Sequence, residues 1–376
     1  MACRSVAGVP PKLAVIFASS WHDPAALLRG VRSELGAVPI IGGTTAGELT
    51  PEGVLTHSCV VALLAGEQLS AGVGLGTDLT GNARAAGQRA AYTAAEPLKG
   101  QPRVGCLTVI DGLCGAQAID AVRGMQEVLG TGALIGGWLS GDDLRFARPV
   151  QFANQQHATG SIAAALLAGN VKLSFGTAHG FAPISKPRRI TKAQEHRLLE
   201  LDGAPAAAVY EEYFGAAGIQ QLKGDGQSLR RSQLAYPLGI RVEAGLPAGH
   251  SGEPRWLLRT VTAFHPDGSL ECTGEMAEGA WLQLMIGNRE LALDAARRAV
   301  QDAIQPMGRI ACVLVFDSYA RRLLLGPRHA AEELAAIRHA AGGAPIAGGY
   351  GYGELATSSG HVSLQTGSVL VAAVGS

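Results

Sequence analysis

Apolar positions along the chain fall into two rhythms. Continuous apolar runs at 13–17, 38–41 and 58–64 read as buried strands. Between the first two, Leu27, Leu28, Val31 and Leu35 recur at helical spacing. Asp23 and Pro24 suit the N-cap and first helical position, and Gly36 suits the C-terminal cap. The order strand, helix, strand, strand then returns twice. The second unit has strands at 104–110 and 133–135, a helix carrying Ile119, Val122, Met125 and Leu129 closed by Gly130, and a last strand ending at Gly169. The third has a strand at 312–316, an alanine-rich helix around 331–341, and strands at 345–347 and 368–374.

In each unit the second strand runs into the same turn, two glycines followed after three residues by glycine and an acid. The copies are Gly42-Gly43 to Gly47-Glu48, Gly136-Gly137 to Gly141-Asp142, and Gly348-Gly349 to Gly353-Glu354. Ala62-Leu63-Leu64-Ala65-Gly66 recurs as Ala165-Leu166-Leu167-Ala168-Gly169, with a Leu-Ser pair after each at Leu69-Ser70 and Leu173-Ser174. An internal repeat of strand-helix-strand-strand units predicts an α/β fold with helices packed on mixed sheets. Two modules are expected, 12–183 and 184–376, divided where Pro183, Pro187 and two arginines break the apolar pattern. Between the second and third units lies an insertion. It reads as a helix at 204–214, a polar mobile loop at 215–233, and a hairpin of strands 256–264 and 270–276 turned by His265-Pro266-Asp267-Gly268.

Charge narrows the function. The 376 residues carry 31 Lys plus Arg against 31 Asp plus Glu, so no net field draws nucleic acid. No apolar run approaches the roughly 20 residues of a membrane span, and no signal-peptide core is present, so a cytoplasmic protein is expected with no membrane insertion. Six scattered cysteines without a Cys-x-x-Cys pair read as buried, reduced thiols. No nucleophile elbow, His-Glu-x-x-His, Walker loop or dinucleotide fingerprint occurs, which argues against an enzyme. Catalytic triads are geometric, so an enzyme with an unrecognised site stays as an alternative.

Two readings of the turns are open. Glycine allows the sharp turn sterically, a structural role. Alternatively the turns line a pocket at the mouth of the sheet, where α/β folds bind ligands. Thr44, Glu48, Asp142, Tyr350, Tyr352 and Glu354 are then the ligand-binding candidates. Their carboxylates, with Asp143, suit an ammonium better than a phosphate. Arg321, just past the strand 312–316, could fork onto a ligand carboxylate, and with Glu354 it would hold the two ends of an amino-acid-like molecule. His179 is the residue to test as a noncovalent haem ligand, ahead of His22 in the capping turn at Asp23.

Across nearly its whole length the chain resembles the FIST family of sensory modules. The first module is carried by Leu13 to Ala18, by Pro39-Ile40-Ile41 with the turn to Glu48, and by Gly136-Gly137 with Gly141-Asp142-Asp143. The second is carried by Ile190-Thr191-Lys192-Ala193, by Leu199-Glu200-Leu201-Asp202-Gly203 with Pro205 and Tyr210, and by Ala347 to Glu354. Where the family often shows Phe-x-Cys-x-Gly-Arg, this chain has Phe316-Asp317-Ser318-Tyr319-Ala320-Arg321, so the arginine matches but the cysteine and glycine do not. The first strand also starts close to residue 1, so an edge element common in the family is expected to be missing. The resemblance implies an intracellular sensor of small ligands that works through a separate partner protein. A stand-alone subgroup implies a further possibility, a haem-based nitric oxide sensor regulating a histidine kinase or a cyclic-di-GMP enzyme.

Overall fold

The computed structural model of the protein describes residues 8–222, 235–242, 255–358 and 361–376. The protein is α/β. Its first unit runs β1 (Pro11–Ser19), α1 (Pro24–Leu35), β2 (Ile40–Thr45), β3 (Glu48–Thr50), β4 (Gly53–Leu55) and β5 (Cys59–Ala65). Asp23 caps α1 by accepting from the Ala26 N–H at 2.7 Å, with Pro24 first in the helix. Two elements, β6 (Leu69–Thr77) and α2 (Leu79–Ala95), lead into the second unit. That unit is β7 (Arg103–Asp111), α3 (Gln117–Leu129), β8 (Ile135–Ser140), β9 (Gln151–Ala153), β10 (Gln156–Ala158) and β11 (Ser161–Gly169), followed by β12 (Lys172–His179).

An antiparallel insertion comes next. It holds β13 (Phe181–Pro183), β14 (Arg188–Gln194), β15 (Arg197–Leu201), β16 (Ala204–Pro205), α4 (Ala208–Leu222), β17 (Leu238–Val242), β18 (Arg255–Arg259), β19 (Val261–Phe264), β20 (Leu270–Cys272) and β21 (Trp281–Gly287). The third unit closes the chain with α5 (Arg289–Ile304), β22 (Ile310–Ser318), α6 (Tyr319–Ala340), β23 (Ile346–Gly351), β24 (Gly353–Ser358), β25 (His361–Gln365) and β26 (Ser368–Gly375).

The insertion departs from its sequence pattern: the helix expected from 204 begins at Ala208, because Ala204–Pro205 pair with β15 as β16. The expected first hairpin strand is two strands: β18 pairs with β17, whereas β19 pairs with β20 across the His265 turn. Residues 215–222, expected in a loop, continue α4 beyond a break at Gly215, which has φ 65°. The remainder of that expected loop, 223–233, lies outside the described residues.

The three units repeat one strand arrangement. β1, β7 and β22 each lie between a parallel neighbour (β2, β8, β23) and an antiparallel one (β5, β11, β26). The hairpin after each turn then leaves its own unit. β3 of unit one pairs with β23 of unit three, β24 of unit three with β8 of unit two, and β9 of unit two with β2 of unit one. This cyclic exchange makes three interlocked sheets around a pseudo-threefold axis. Two of them gain a sixth strand, β6 beside β11 and β12 beside β26. These strands carry the repeated Leu-Ser pairs, and the repeated pentapeptides align residue for residue on β5 and β11.

Register corrects the alignment of the middle turn. Gly42, Gly137 and Gly348 occupy one position, opposite Ile16, Thr108 and Val315. A Cβ there would lie 2.4, 1.8 or 2.0 Å from that partner's carbonyl oxygen, so each needs glycine. Unit two is therefore displaced by one residue from the alignment that its glycine pair suggests, and Trp138 stands where units one and three have Gly43 and Gly349.

The displacement has a packing reason. At the next position the cross-strand pairs are Phe17 with Gly43, Phe316 with Gly349, and Val109 with Trp138. Each unit thus supplies one ring, from the central strand in two units and from its neighbour in the third. The rings meet at the axis, with centroids 5.0 Å apart for Phe17 and Trp138, 4.8 Å for Trp138 and Phe316, and 6.0 Å for Phe17 and Phe316. They share a core with Leu13, Leu107 and Leu314 from the inner faces of the three sheets. Helices cover the outer faces: α1 on the first sheet, α2 and α3 on the second, α5 and α6 on the third. Among the described residues no helix is long and apolar enough to cross a membrane.

Replacing Gly137 or Gly348 by alanine should lower stability by about 1–3 kcal/mol or more, because the added methyl meets backbone that cannot move aside. Gly53→Ala, with nothing within 4 Å of its Cβ, should stay near wild type. Urea denaturation of the three variants measures the difference, and equal midpoints would contradict the register.

Candidate functional site

The C-terminal ends of β1, β7 and β22 open on one end of the molecule, and the glycine turns gather beside them. The register of the exchanged hairpins gives each turn's equivalent residue. Glu48 lies opposite Gly349, Glu354 opposite Trp138, and Gln151 opposite Gly43. All three side chains make the same clasp to a serine at the start of the last strand of their own unit. Ser58 Oγ donates to Glu48 Oε2 at 2.5 Å, Ser161 Oγ to Gln151 Oε1 at 2.7 Å, and Ser368 Oγ to Glu354 Oε2 at 2.7 Å. Units one and two add a second hydroxyl: Thr45 Oγ1 donates to Glu48 Oε1 at 2.6 Å, and Gln151 Nε2 donates to Ser140 Oγ at 2.7 Å. In unit three that position is Gly351.

The acids of the turns are thus buried, and each already has a job. Burial is the main reason the Glu48 carboxyl is raised above its ordinary value, against the lowering effect of its Ser58 and Thr45 bonds. Glu354 is raised well above its ordinary value by burial. Asp142 is not the counterpart of Glu48. It folds the loop that lengthens the middle turn by accepting from the N–H groups of Phe146, Ala147 and Arg148 at 2.8, 2.7 and 2.7 Å, and from the Tyr352 hydroxyl. Thr44 is buried and accepts from the Val150 N–H at 2.8 Å, and Tyr350 is buried under the Arg322 guanidinium, 5.1 Å away.

Arg321 is fully buried on the inward side of α6, where its fork is already engaged. Its Nε donates to Asp317 Oδ1 at 3.0 Å, and its Nη2 donates to Glu333 and to the Ala292 carbonyl at 2.8 Å. Burial, and then the nearby Glu333 charge, raise the Asp317 carboxyl well above its ordinary value. The structure does bring Arg321 and Glu354 within electrostatic range of each other. Neither lines either of two cavities at this end of the molecule.

Two cavities do open at this end. The smaller, about 680 Å³, lies between the unit-one turn at Ala46, the segment Thr56-His57, the loop residue Asp143, and Tyr319, Arg322 and Gly326 on α6. The larger, about 890 Å³, lies between the unit-three turn at Gly351-Tyr352, Thr366, the α3 entry at 112–117 and the insertion residues His196 and Glu271. They are the same place in successive units: an exchanged hairpin facing the helix entry of the sheet on which it docks. The third such place is plugged by the loop of the middle turn. There Asp143 Oδ2 accepts from Ser19 Oγ, Ser20 N–H and Ser20 Oγ at 2.8, 2.7 and 2.7 Å, and Arg145 lies 4.8 Å over Trp21.

In the smaller cavity Arg322 is the residue that sequence reasoning passed over for its neighbour. One position along a helix turns the side chain by about 100°, from the core to the cavity. Its Nη1 donates to the Ala46 carbonyl at 2.6 Å. Of the sequence candidates, Tyr352 lines the larger cavity and Asp143 the smaller one. His179 lines neither and does not fit a haem ligand. It is packed at the end of β12, its Nδ1 accepts from the Phe181 N–H at 3.3 Å, and burial together with Arg321 and Arg298 depresses it to about 4. The described cysteines are free, and burial holds Cys106, Cys114, Cys272 and Cys312 up at about 12.

The clasp makes a pH-dependent statement. A carboxyl whose folded value is raised adds stability below its unfolded value and loses it as pH rises through the folded one. Glu48→Gln imitates Gln151 and removes that loss. Its stability relative to wild type should rise between pH 4.5 and pH 8, whereas Glu48→Leu, which strands the buried Thr45 hydroxyl and the half-buried Ser58 hydroxyl, should cost about 1–3 kcal/mol at every pH. Denaturation midpoints across that range provide the check, and a pH-independent gap for Glu48→Gln would refute it.

Comparison with known proteins agrees with this architecture. The FIST N domain matches residues 12–204 and the FIST C domain residues 206–357. No curated protein matches the chain. Domains of this kind are associated with sensing small ligands in signal transduction. With both domains matched in order over most of its length, the chain belongs to the FIST family.

Proposed function

We propose that the protein senses an amino-acid-like ligand in the smaller cavity and passes the signal to a separate protein by contact. The observation that carries this reading is the pairing of opposite charges on one cavity wall. Arg322 brings a guanidinium fixed by its bond to Ala46, and Asp143 brings a carboxylate fixed through Oδ2 to Ser19 and Ser20. A guanidinium fork fits a ligand carboxylate, and Asp143 Oδ1 fits an ammonium. The volume, about 680 Å³, is in the range of small-molecule sites. Both groups are pre-positioned, which reduces the ordering cost of binding.

The partner is a separate signalling protein, of which a histidine kinase and a cyclic-di-GMP enzyme are the classes implied by the family resemblance. The ligand would lie between a hairpin of unit one and a helix of unit three, so its binding energy acts on the junction between units. A cytoplasmic site of action goes with this reading.

Calorimetric titration with a panel of amino acids tests it. At least one should bind, and Arg322→Ala and Asp143→Asn should each weaken it about 10- to 100-fold, the worth of a charged hydrogen bond of about 1.5–3 kcal/mol. Unchanged affinity in both variants would refute the site.

A further inference from the structure

The clasp of unit three is incomplete. Where units one and two place a hydroxyl beside the clasp, Thr45 and Ser140, unit three has Gly351 and no side chain. Glu354 Oε1, the counterpart of the Glu48 oxygen bonded by Thr45, is buried without a hydrogen-bonding partner among the described residues. Its directly opposed residue is Trp138, whose indole Nε1 is also buried and unpartnered. Directly opposed residues of an antiparallel pair project from the same face with Cβ atoms about 5 Å apart. A Cβ on Gly351 would lie 2.5 Å from the Leu139 carbonyl oxygen and 3.2 Å from Trp138 Cδ1, at the edge of the same indole. An unmet donor and an unmet carboxyl oxygen are thus carried by one directly opposed pair of side chains in the core, and leaving both unmet would be costly.

We propose that this place is a binding site for a single hydroxyl, bridging Trp138 Nε1 and Glu354 Oε1. The chemistry selects the group. The indole N–H can only donate, so the bridging atom must accept, which excludes an ammonium. A carbonyl oxygen cannot donate to Glu354 when that carboxyl is ionised. A hydroxyl oxygen accepts from the indole and either donates to the carboxylate or accepts from the protonated acid, so it serves both states. Units one and two supply the equivalent hydroxyl from their own chain, and unit three takes it from outside. Gly351 also lines the larger cavity, together with Tyr352, Ser318 and Thr366, so the site lies behind that cavity's wall. The hydroxyl is that of a resident water or of an alcohol entering from the cavity.

The indole proton is the reporter. The chain has four tryptophans, Trp21, Trp138, Trp256 and Trp281. In the proton–nitrogen spectrum of the full chain, the indole signal lost in Trp138→Phe is assigned to Trp138. Should that variant not fold, Trp21→Phe, Trp256→Phe and Trp281→Phe assign it by elimination. The expected result is cross-relaxation from this proton to a hydroxyl proton. A cross-peak at the water frequency identifies a resident water, and one that arises only on adding glycerol identifies an alcohol. Glu354→Gln should shift the indole signal, and Glu48→Gln, at the equivalent position of another unit, should leave it in place. An indole proton without cross-relaxation to water or to glycerol overturns the proposal, as does a signal indifferent to Glu354→Gln.

Discussion

Three rings at one axis hold the molecule to its geometry. Phe17, Trp138 and Phe316 fill the space where three sheets converge, and each is accommodated because its cross-strand partner is small: glycine beside the two phenylalanines, valine beside the indole. Each unit gives the axis one ring, and the unit-two pair, Val109 with Trp138, is the bulkiest of the three, so its indole fills the space between the two phenylalanines. The ring moves from the central strand to its neighbour in unit two. With the sheets held at this spacing, the C-terminal ends of the central strands converge, and the turns that follow reach the adjacent unit more easily than their own.

The exchange of hairpins follows from that convergence and changes what a domain boundary means here. β3 completes the sheet of unit three, and β12 lies on that sheet's other edge, although both precede the insertion in sequence. The two family domains are stretches of chain that share sheets. A ligand between Ala46 and Arg322 touches a hairpin of one unit and a helix of another, and it can shift their relative placement by as much as it binds one arrangement better than the other. The break at Gly326, φ 68°, followed by Pro327, lies in the cavity wall where such a shift would be felt.

Much of this was legible in the sequence because apolar runs and caps are local signals. Strand 13–17, the capped helix from Pro24, and the repeated pentapeptides all stand where their patterns put them. The middle turn was misaligned because its glycine pair, Gly136-Gly137, matches the others by letter, whereas register is fixed by which glycine lies against the central strand's carbonyl. Once Trp138 takes the place of Gly43 and Gly349, Asp142 loses its equivalence to Glu48, and the clasp passes to Gln151 beyond a loop. The serines at 58, 161 and 368 are a readable signal, each at the start of the last strand of its unit. Arg322 was not readable. Adjacent arginines on a helix differ only in which one faces the core, and that depends on Asp317 and Glu333 arriving from two other turns of chain.

The burial of Arg321 has its own logic. A guanidinium out of water demands partners, and here a strand end, a helix carbonyl and the far part of α6 supply them to Nε and Nη2, while Nη1 is without a hydrogen-bonding partner among the described residues. Two carboxyls share one cation in the core, and burial together with the nearby Glu333 charge raises the Asp317 carboxyl well above its ordinary value. The arrangement fixes the N-terminal turn of α6 to the segment beyond its break, so the neighbouring Arg322 is presented to the cavity from a rigid support. One arginine of the pair is spent on architecture, and the other faces the smaller cavity.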